Sequence, residues 1–360
     1  MHRDDDLRDR CTTGLIPLRP VIALALAGVV GLAAWSPAAR AQASAPTDEA
    51  AGQAREVRAW LLRIHEAASH RNFQGTFVVS AGGTVSSARI AHYCEGPSQY
   101  ERSESLDGQA RHVYRHNDVV TTVWPATKVA MVEQRTLLAQ FPALLQAGDD
   151  RIADHYEVRQ QGVERVAGHE ASVLIVRPRD GYRYGYRLWA ERTTGLLLRA
   201  DVLGGHNEVL ESSAFSDVAI GVKPQPETVL APMRRLEAYR VVRPILTPTT
   251  LADEGWTMGA PVAGFRRVSC VKRPMDGTGV IDSTAQEQQV LQTIYSDGLT
   301  YVSVFIEPFD PKRHARPMLA SVGPTQTLMQ QHGRWWVTVL GDVPPVTLRL
   351  FAKGLERSKN

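Results

Sequence analysis

His169, Ser172 and Asp180 are the side-chain types of a nucleophile–base–acid triad and lie close together in the chain. Such types scatter through any chain of this length, so the spacing has to carry the argument. It does not: there is no G-x-S-x-G elbow, no H-E-x-x-H, no P-loop and no dinucleotide glycine fingerprint after a strand. His112 and His116 share strand parity, but four residues of extended chain hold them ~13 Å apart, too far to share one ion. The reading is therefore no enzyme, no catalytic group, no metal and no cofactor. What remains are residues that bind.

Pro178–Ala200 reads PRDGYRYGYRLWAERTTGLLLRA, two apolar-aromatic runs around the polar loop Glu191-Arg192-Thr193-Thr194-Gly195. This predicts a β-hairpin with strands Tyr182–Ala190 and Leu196–Leu203. On the first strand Tyr182, Tyr184, Tyr186 and Leu188 share one face, and Arg183, Gly185, Arg187 and Trp189 the other. Tyrosine rings give apolar area with a polar tip, so the stripe either faces a ligand or packs under a helix with the arginines solvated outside. An acyl chain needs a dry cavity, where each buried methylene contributes about 0.8 kcal/mol. Tyr182, Tyr184, Tyr186, Trp189, Phe73 and Phe77 are candidates to line one, with Leu137, Leu138, Phe141, Leu144 and Leu145 from a helix expected over Leu137–Ala147. The same residues equally suit a closed core.

A protein partner asks for aromatic anchors ringed by cations. The C-terminal third offers Trp256, Phe265, Phe305, Trp335 and Trp336, with Arg266, Arg267, Lys272, Arg273, Lys312, Arg313 and Arg316. Trp335 and Trp336 are adjacent, so on a strand one turns to the core and the other is free for the surface.

These candidates need elements to position them. With 360 residues, of which 43% are hydrophobic, the chain can build two ordinary cores. A formal net charge of +3, 41 basic against 38 acidic side chains, argues against a bulk nucleic-acid binder. Leu61, Ile64 and Ala68 keep a helical period within Ala50–His70. Short alternating runs follow to Phe215, bounded by Gly, Pro, Asp or Asn, which predicts an antiparallel meander of about ten strands. Ile220–Arg234, with Pro224, Pro226 and Pro232 and no clear period, reads as a linker. Five further strands then lead to a last helix, with Asp342 as its cap and Pro344 and Pro345 in its first turn. The fold class is mainly β with an α+β second domain: an N-terminal domain over 50–219, a linker over 220–234 and a smaller domain over 235–356.

Residues 1–43 read as a secretory signal. Pro20–Ala34 is apolar and short, and Ala39-Arg40-Ala41 and Ala41-Gln42-Ala43 offer small-x-small cleavage patterns, although Asp4, Asp5, Asp6 and Asp9 dilute the expected positive start. Export leaves Cys94 and Cys270, either bridged across the domains or two free thiols.

Several motifs together resemble the sigma-E regulatory protein family of RseB and MucB. They are Ala59-Trp60-Leu61 with Asn72-Phe73-Gln74-Gly75-Thr76-Phe77-Val78, Arg165-Val166-Ala167-Gly168 before the tyrosine run, Tyr295-Ser296-Asp297-Gly298-Leu299, and Gly341-Asp342-Val343-Pro344-Pro345. The resemblance covers nearly all of the chain after about residue 55. It implies a first domain similar to the lipoprotein carriers LolA and LolB, an unclosed β-barrel covered by helices. It also implies a periplasmic location and, as partner, the periplasmic segment of a single-pass anti-sigma factor, held largely through the second domain and linker and shielded from a site-1 protease of the DegS type. Lipopolysaccharide or lipoprotein acyl chains taken up at the first domain are the implied release signal, and a second copy of the chain is a further candidate partner. The alternative expectation is a periplasmic lipoprotein carrier or lipid chaperone.

Overall fold

The computed structural model of the chain describes residues 48–134, 152–259, 262–274, 289–314 and 316–358. The signal over 1–43 and the helix over Leu137–Ala147, with its candidates Leu137, Leu138, Phe141, Leu144 and Leu145, lie outside the described residues.

Helix α1 (Asp48–His70) is followed by β1 (Phe73–Ala81), β2 (Thr84–Glu95), β3 (Ser98–Ser105), β4 (His112–His116), β5 (Val119–Trp124) and β6 (Val129–Gln134). A short α2 (Ile152–His155) leads into β7 (Tyr156–Val166), β8 (His169–Pro178), β9 (Gly185–Glu191), β10 (Leu197–Leu203) and β11 (Val209–Ile220), and α3 (Glu227–Arg234) and β12 (Arg240–Val242) follow. These twelve strands form one sheet in the order β12-β6-β5-β4-β3-β2-β1-β11-β10-β9-β8-β7, antiparallel except where β12 joins β6. Its end strands β12 and β7 do not pair with each other. The expected unclosed antiparallel sheet is present, with β6 and β12 added to the strands that alternation revealed.

The sheet curls enough for β7 to approach β11 although three strands lie between them. Register shifts explain the curl: β-bulges interrupt the β1–β11, β10–β11, β9–β10 and β7–β8 ladders, and each adds local twist and bend. Gly75 precedes the first of these bulges, where any β-carbon would collide with the Asp217 carbonyl.

Antiparallel sheets commonly bury one face. Here β8 buries both: Leu174 packs with Leu61 and Ile64 of α1, and Val173 on the other side joins Phe73, Phe77, Trp189 and Phe215. Over β2–β6 the cover is α3, inside the stretch expected to be an aperiodic linker. Pro226 stands at its N-cap, where a missing N–H costs nothing, and Val229, Leu230 and Met233 form a stripe that packs with Tyr93, Tyr100 and Tyr114.

The second lobe comprises β13 (Thr247–Pro248), β14 (Trp256–Met258), β15 (Arg266–Pro274), β16 (Gln289–Ser296), β17 (Tyr301–Pro308), β18 (Met318–Val322), β19 (Thr325–His332), β20 (Trp335–Gly341), α4 (Pro345–Gly354) and β21 (Leu355–Arg357). Seven strands order as β13-β15-β16-β17-β20-β19-β18, and β14 pairs with β21 in a separate ribbon. Leu348 and Phe351 of α4 are fully buried on this sheet, the Phe351 ring meeting Phe265 edge-on at 5.5 Å. Asp342 does not cap α4. Pro344 holds the cap position, and the Asp342 carboxylate turns instead to accept the Thr325 hydroxyl at 2.5 Å.

Candidate functional site

The described part of the chain falls in one compact unit, Pro46–Asn360, so the two lobes are fastened rather than loosely tethered. The fastening is built from the two motifs that stood out in the sequence. The tyrosine–arginine run does not enter its strand at Tyr182: residues 179–184 are irregular and β9 begins at Gly185. Strand parity therefore fails for the first residues of the run. Tyr182 turns to the second lobe's core, and Thr347 of α4 donates to its carbonyl at 2.7 Å. Tyr184 and Tyr186 stay with the first lobe's core.

Arg183, expected on the face opposite the tyrosines, has a side chain with 0% exposure. Its Nε donates to Asp297 Oδ2 at 2.7 Å, Nη1 pairs with Asp180, Nη2 donates to the Ala263 carbonyl, and its guanidinium lies 4.9 Å from the Phe265 ring centroid. Asp297, at the start of the β16–β17 turn, also has a side chain with 0% exposure. Its Oδ2 accepts from the Tyr156 hydroxyl at 2.8 Å, and its Oδ1 accepts from the backbone N–H groups of Leu299 and Thr300, both at 2.9 Å. Four donors thus meet the four lone-pair sites of one carboxylate. Burial, reinforced by the Asp297 charge, pushes the Tyr156 phenol well above its usual range and keeps it a donor. Gly264, at φ +85°, lets the chain pass: a β-carbon there would strike the Arg183 guanidinium and the His155 ring.

Further contacts join the lobes. Arg273 of β15 reaches Glu133 of β6 at 3.7 Å and Gln292 at 3.2 Å. Gly323, at the tip of the β18–β19 turn, lies against Ala81 and the Leu210 carbonyl.

The acyl-chain candidates that are described do not gather in one place. Tyr184 and Tyr186 belong to the cluster under α1, Phe73, Phe77 and Trp189 to the cluster across the sheet, and Tyr182 to the second lobe. Trp189 is buried, with its indole N–H on Glu164 at 2.9 Å and the Arg199 guanidinium 4.3 Å from its ring centroid.

None of the five aromatic anchors of the second lobe is exposed. Trp256, Phe265 and Trp336 are buried and Phe305 is half-buried. Of the tryptophan pair neither is free: Trp336 stacks on His314 at 4.8 Å, and half-buried Trp335 packs edge-on against Trp256 at 5.7 Å with Arg357 over both rings. Among the cations, Lys272 pairs with Glu254 at 2.8 Å and Arg273 serves the lobe junction, while Arg266 and Arg267 are exposed on β15. Cys94 and Cys270 are free and half-buried, unbridged.

Sequence reasoning did not single out Tyr156, named Asp180 only as an unsupported triad type and met Asp297 only inside a family motif; the available signal was Arg183 beside Asp180 in a glycine-flanked run, a cation in need of a partner.

An open, helix-covered sheet fastened by buried charge to a smaller helix-backed sheet defines the class, a two-lobed β protein with an α+β second domain. Family models agree along the chain: the MucB/RseB N-terminal domain matches residues 56–233 and the MucB/RseB C-terminal domain residues 250–356. The sigma factor AlgU regulatory protein MucB of Pseudomonas aeruginosa is 31% identical over 303 residues, 82% of this chain and 89% of that protein. The sigma-E factor regulatory protein RseB of Escherichia coli K12 is 23% identical, over 83% of this chain and 90% of that protein. The complex structure of Pseudomonas aeruginosa MucA/MucB superposes with a TM-score of 0.65 at 28% identity, over 85% of this chain and 100% of that one. The chain belongs to the MucB/RseB family.

Proposed function

We propose that this protein is a periplasmic negative regulator of a sigma-E-type envelope stress response. It binds the periplasmic segment of a single-pass anti-sigma factor of the RseA/MucA type and shields that segment from site-1 proteolysis. The observation that carries this reading is the match to both family domains in order, together with a solved MucB relative described as a complex with MucA(peri). A carrier needs only the first lobe, and the C-terminal match weighs against that alternative.

Because none of the aromatic anchors is exposed, the partner surface of the second lobe rests on exposed charge, with Arg266 and Arg267 as its candidates. Lipid or lipopolysaccharide taken up by the first lobe releases the partner. Such a ligand acts only by preferring the partner-free conformation, and the junction at Arg183 and Asp297 is where a preference in one lobe reaches the other.

The test is fluorescence anisotropy of a labelled anti-sigma periplasmic segment titrated with the full chain, paired with a site-1 protease digest. Saturable binding with protection is expected, and Arg266→Glu with Arg267→Glu should weaken it at least ~10-fold. Binding no tighter than to a scrambled segment would refute the reading.

A further inference from the structure

Outside the junction, a second buried polar row crosses the first lobe, and one of its ends carries a thiol. The ladders set it. Phe73 of β1 pairs with His92 of β2, His92 with Glu101 of β3, and Glu101 with Arg115 of β4, so all four side chains share one face. Phe73 stacks on the His92 ring at 5.3 Å. Arg115 Nε donates to Glu101 Oε2 at 2.7 Å, and Glu101 Oε1 lies 3.0 Å from His92 Nδ1. That leaves His92 Nε2 for Cys94, two residues along the same strand face, with Sγ at 3.2 Å. Thiol, imidazole and carboxylate stand in the line that activates a nucleophile: the carboxylate orients the ring, and the ring faces the sulfur. His92 is 2% exposed, whereas Cys94 is half-buried.

We propose that Cys94 is a modification site, a thiol activated by His92 that undergoes exchange with low-molecular-weight disulfides. In the exchange His92 Nε2 holds the thiol proton and the Cys94 sulfur attacks one sulfur of the small disulfide. A new S–S bond forms on Cys94, the old S–S bond breaks, and the departing thiolate takes the proton from His92. The disulfide is itself the oxidant, and the products are the mixed disulfide and one free thiol.

The charge state of the row favours this. Burial alone would lower the His92 pKa, but its hydrogen bonds to Cys94 and Glu101, with their charges, push it up to about 9. Glu101, which burial would raise, is held down at about 2 by its bonds to His92 and Arg115. An imidazolium facing a sulfur stabilises the thiolate. One contact works the other way, since Cys94 Sγ also donates to the Ser69 carbonyl at 2.9 Å in the last turn of α1. That carbonyl is not orphaned when the thiol loses its proton, because Gln99 Nε2 donates to it at 3.1 Å. An adduct on Cys94 removes one of the two tethers of Ser69 to the sheet. The inference stands independently of the proposed function.

The experiment uses the full chain carrying Cys11→Ser and Cys270→Ser, with oxidised glutathione as the probe and intact mass as the readout. An ordinary thiol, half-ionised near pH 8.5, reacts ~160-fold more slowly at pH 6 than at pH 8.5. The native protein should lose no more than ~5-fold over that interval, while the same chain unfolded in urea shows the full loss. His92→Gln should restore the steep dependence in the folded protein. Native protein as steep as the unfolded chain, or no adduct on the native protein, would overturn the proposal and leave Cys94 as a tether of α1; the native-to-unfolded comparison decides this even if the His92 variant does not fold.

Discussion

Two of the places where the molecule buries charge are built by different means. In the first lobe, His92, Glu101 and Arg115 are brought together by the register of three neighbouring strands. At the junction, Arg183 and Asp297 meet from irregular loops 114 residues apart in the chain. A row within a sheet forms when its ladder forms. A cross-lobe pair requires both lobes to be finished and docked, so it reports on docking. The contrast teaches that the lobes of this protein are coupled through polar groups whose desolvation is repaid only in the docked arrangement.

Removing the junction carboxylate should have the largest effect. Asp297→Ala leaves a buried guanidinium, a phenol and two backbone N–H groups without their acceptor, and should cost about 3–5 kcal/mol in urea unfolding. A single cooperative transition at unchanged midpoint would break the comparison. The row within the sheet should show itself through pH. His92, raised from 6.5 to about 9, contributes stability fully present below pH 6.5 and lost as pH rises through 9. Glu101, lowered from 4.5 to about 2, contributes stability present above pH 4.5 and lost as pH falls through 2. The thermal midpoint should therefore be flat between those limits and decline on the alkaline side, and His92→Gln should flatten that decline. Tyr156→Phe removes one of four donors to Asp297 and should cost about 1–1.5 kcal/mol, read in the same urea assay. Smallest of all, Glu227→Ala breaks an exposed pair with Arg234, whose side chains are 71% and 61% exposed, and should change stability by less than about 0.5 kcal/mol.

Much of the architecture was legible because antiparallel strands alternate. The alternating runs Phe73–Ser80 and Val119–Val123 each end one residue short of the strands β1 and β5 they predict. Bulges are not legible this way, since the extra residue changes parity without changing composition. Extending strand parity back past Gly185 put Arg183 on the sheet face opposite the tyrosines, when the chain there leaves the sheet and turns its guanidinium into the junction. Prolines near 226 suggested an extended linker, yet one at an N-cap position begins a helix. Trp256 and Trp336 looked like anchors because aromatic type is visible in a sequence and burial is not; both faces of β20 are covered, one by the core with Trp256 and one by Phe309 and His314. The family motifs located the right turn at Ser296-Asp297-Gly298, but its partner lay in another motif, and only the tertiary fold joins them.

The most direct test is a double-mutant cycle between Arg183→Met and Asp297→Asn, measured by urea unfolding of the full chain. Lobes coupled through this pair predict a coupling energy of about 1.5 kcal/mol or more. Additivity within about 0.5 kcal/mol, as expected for an exposed pair, would contradict the account.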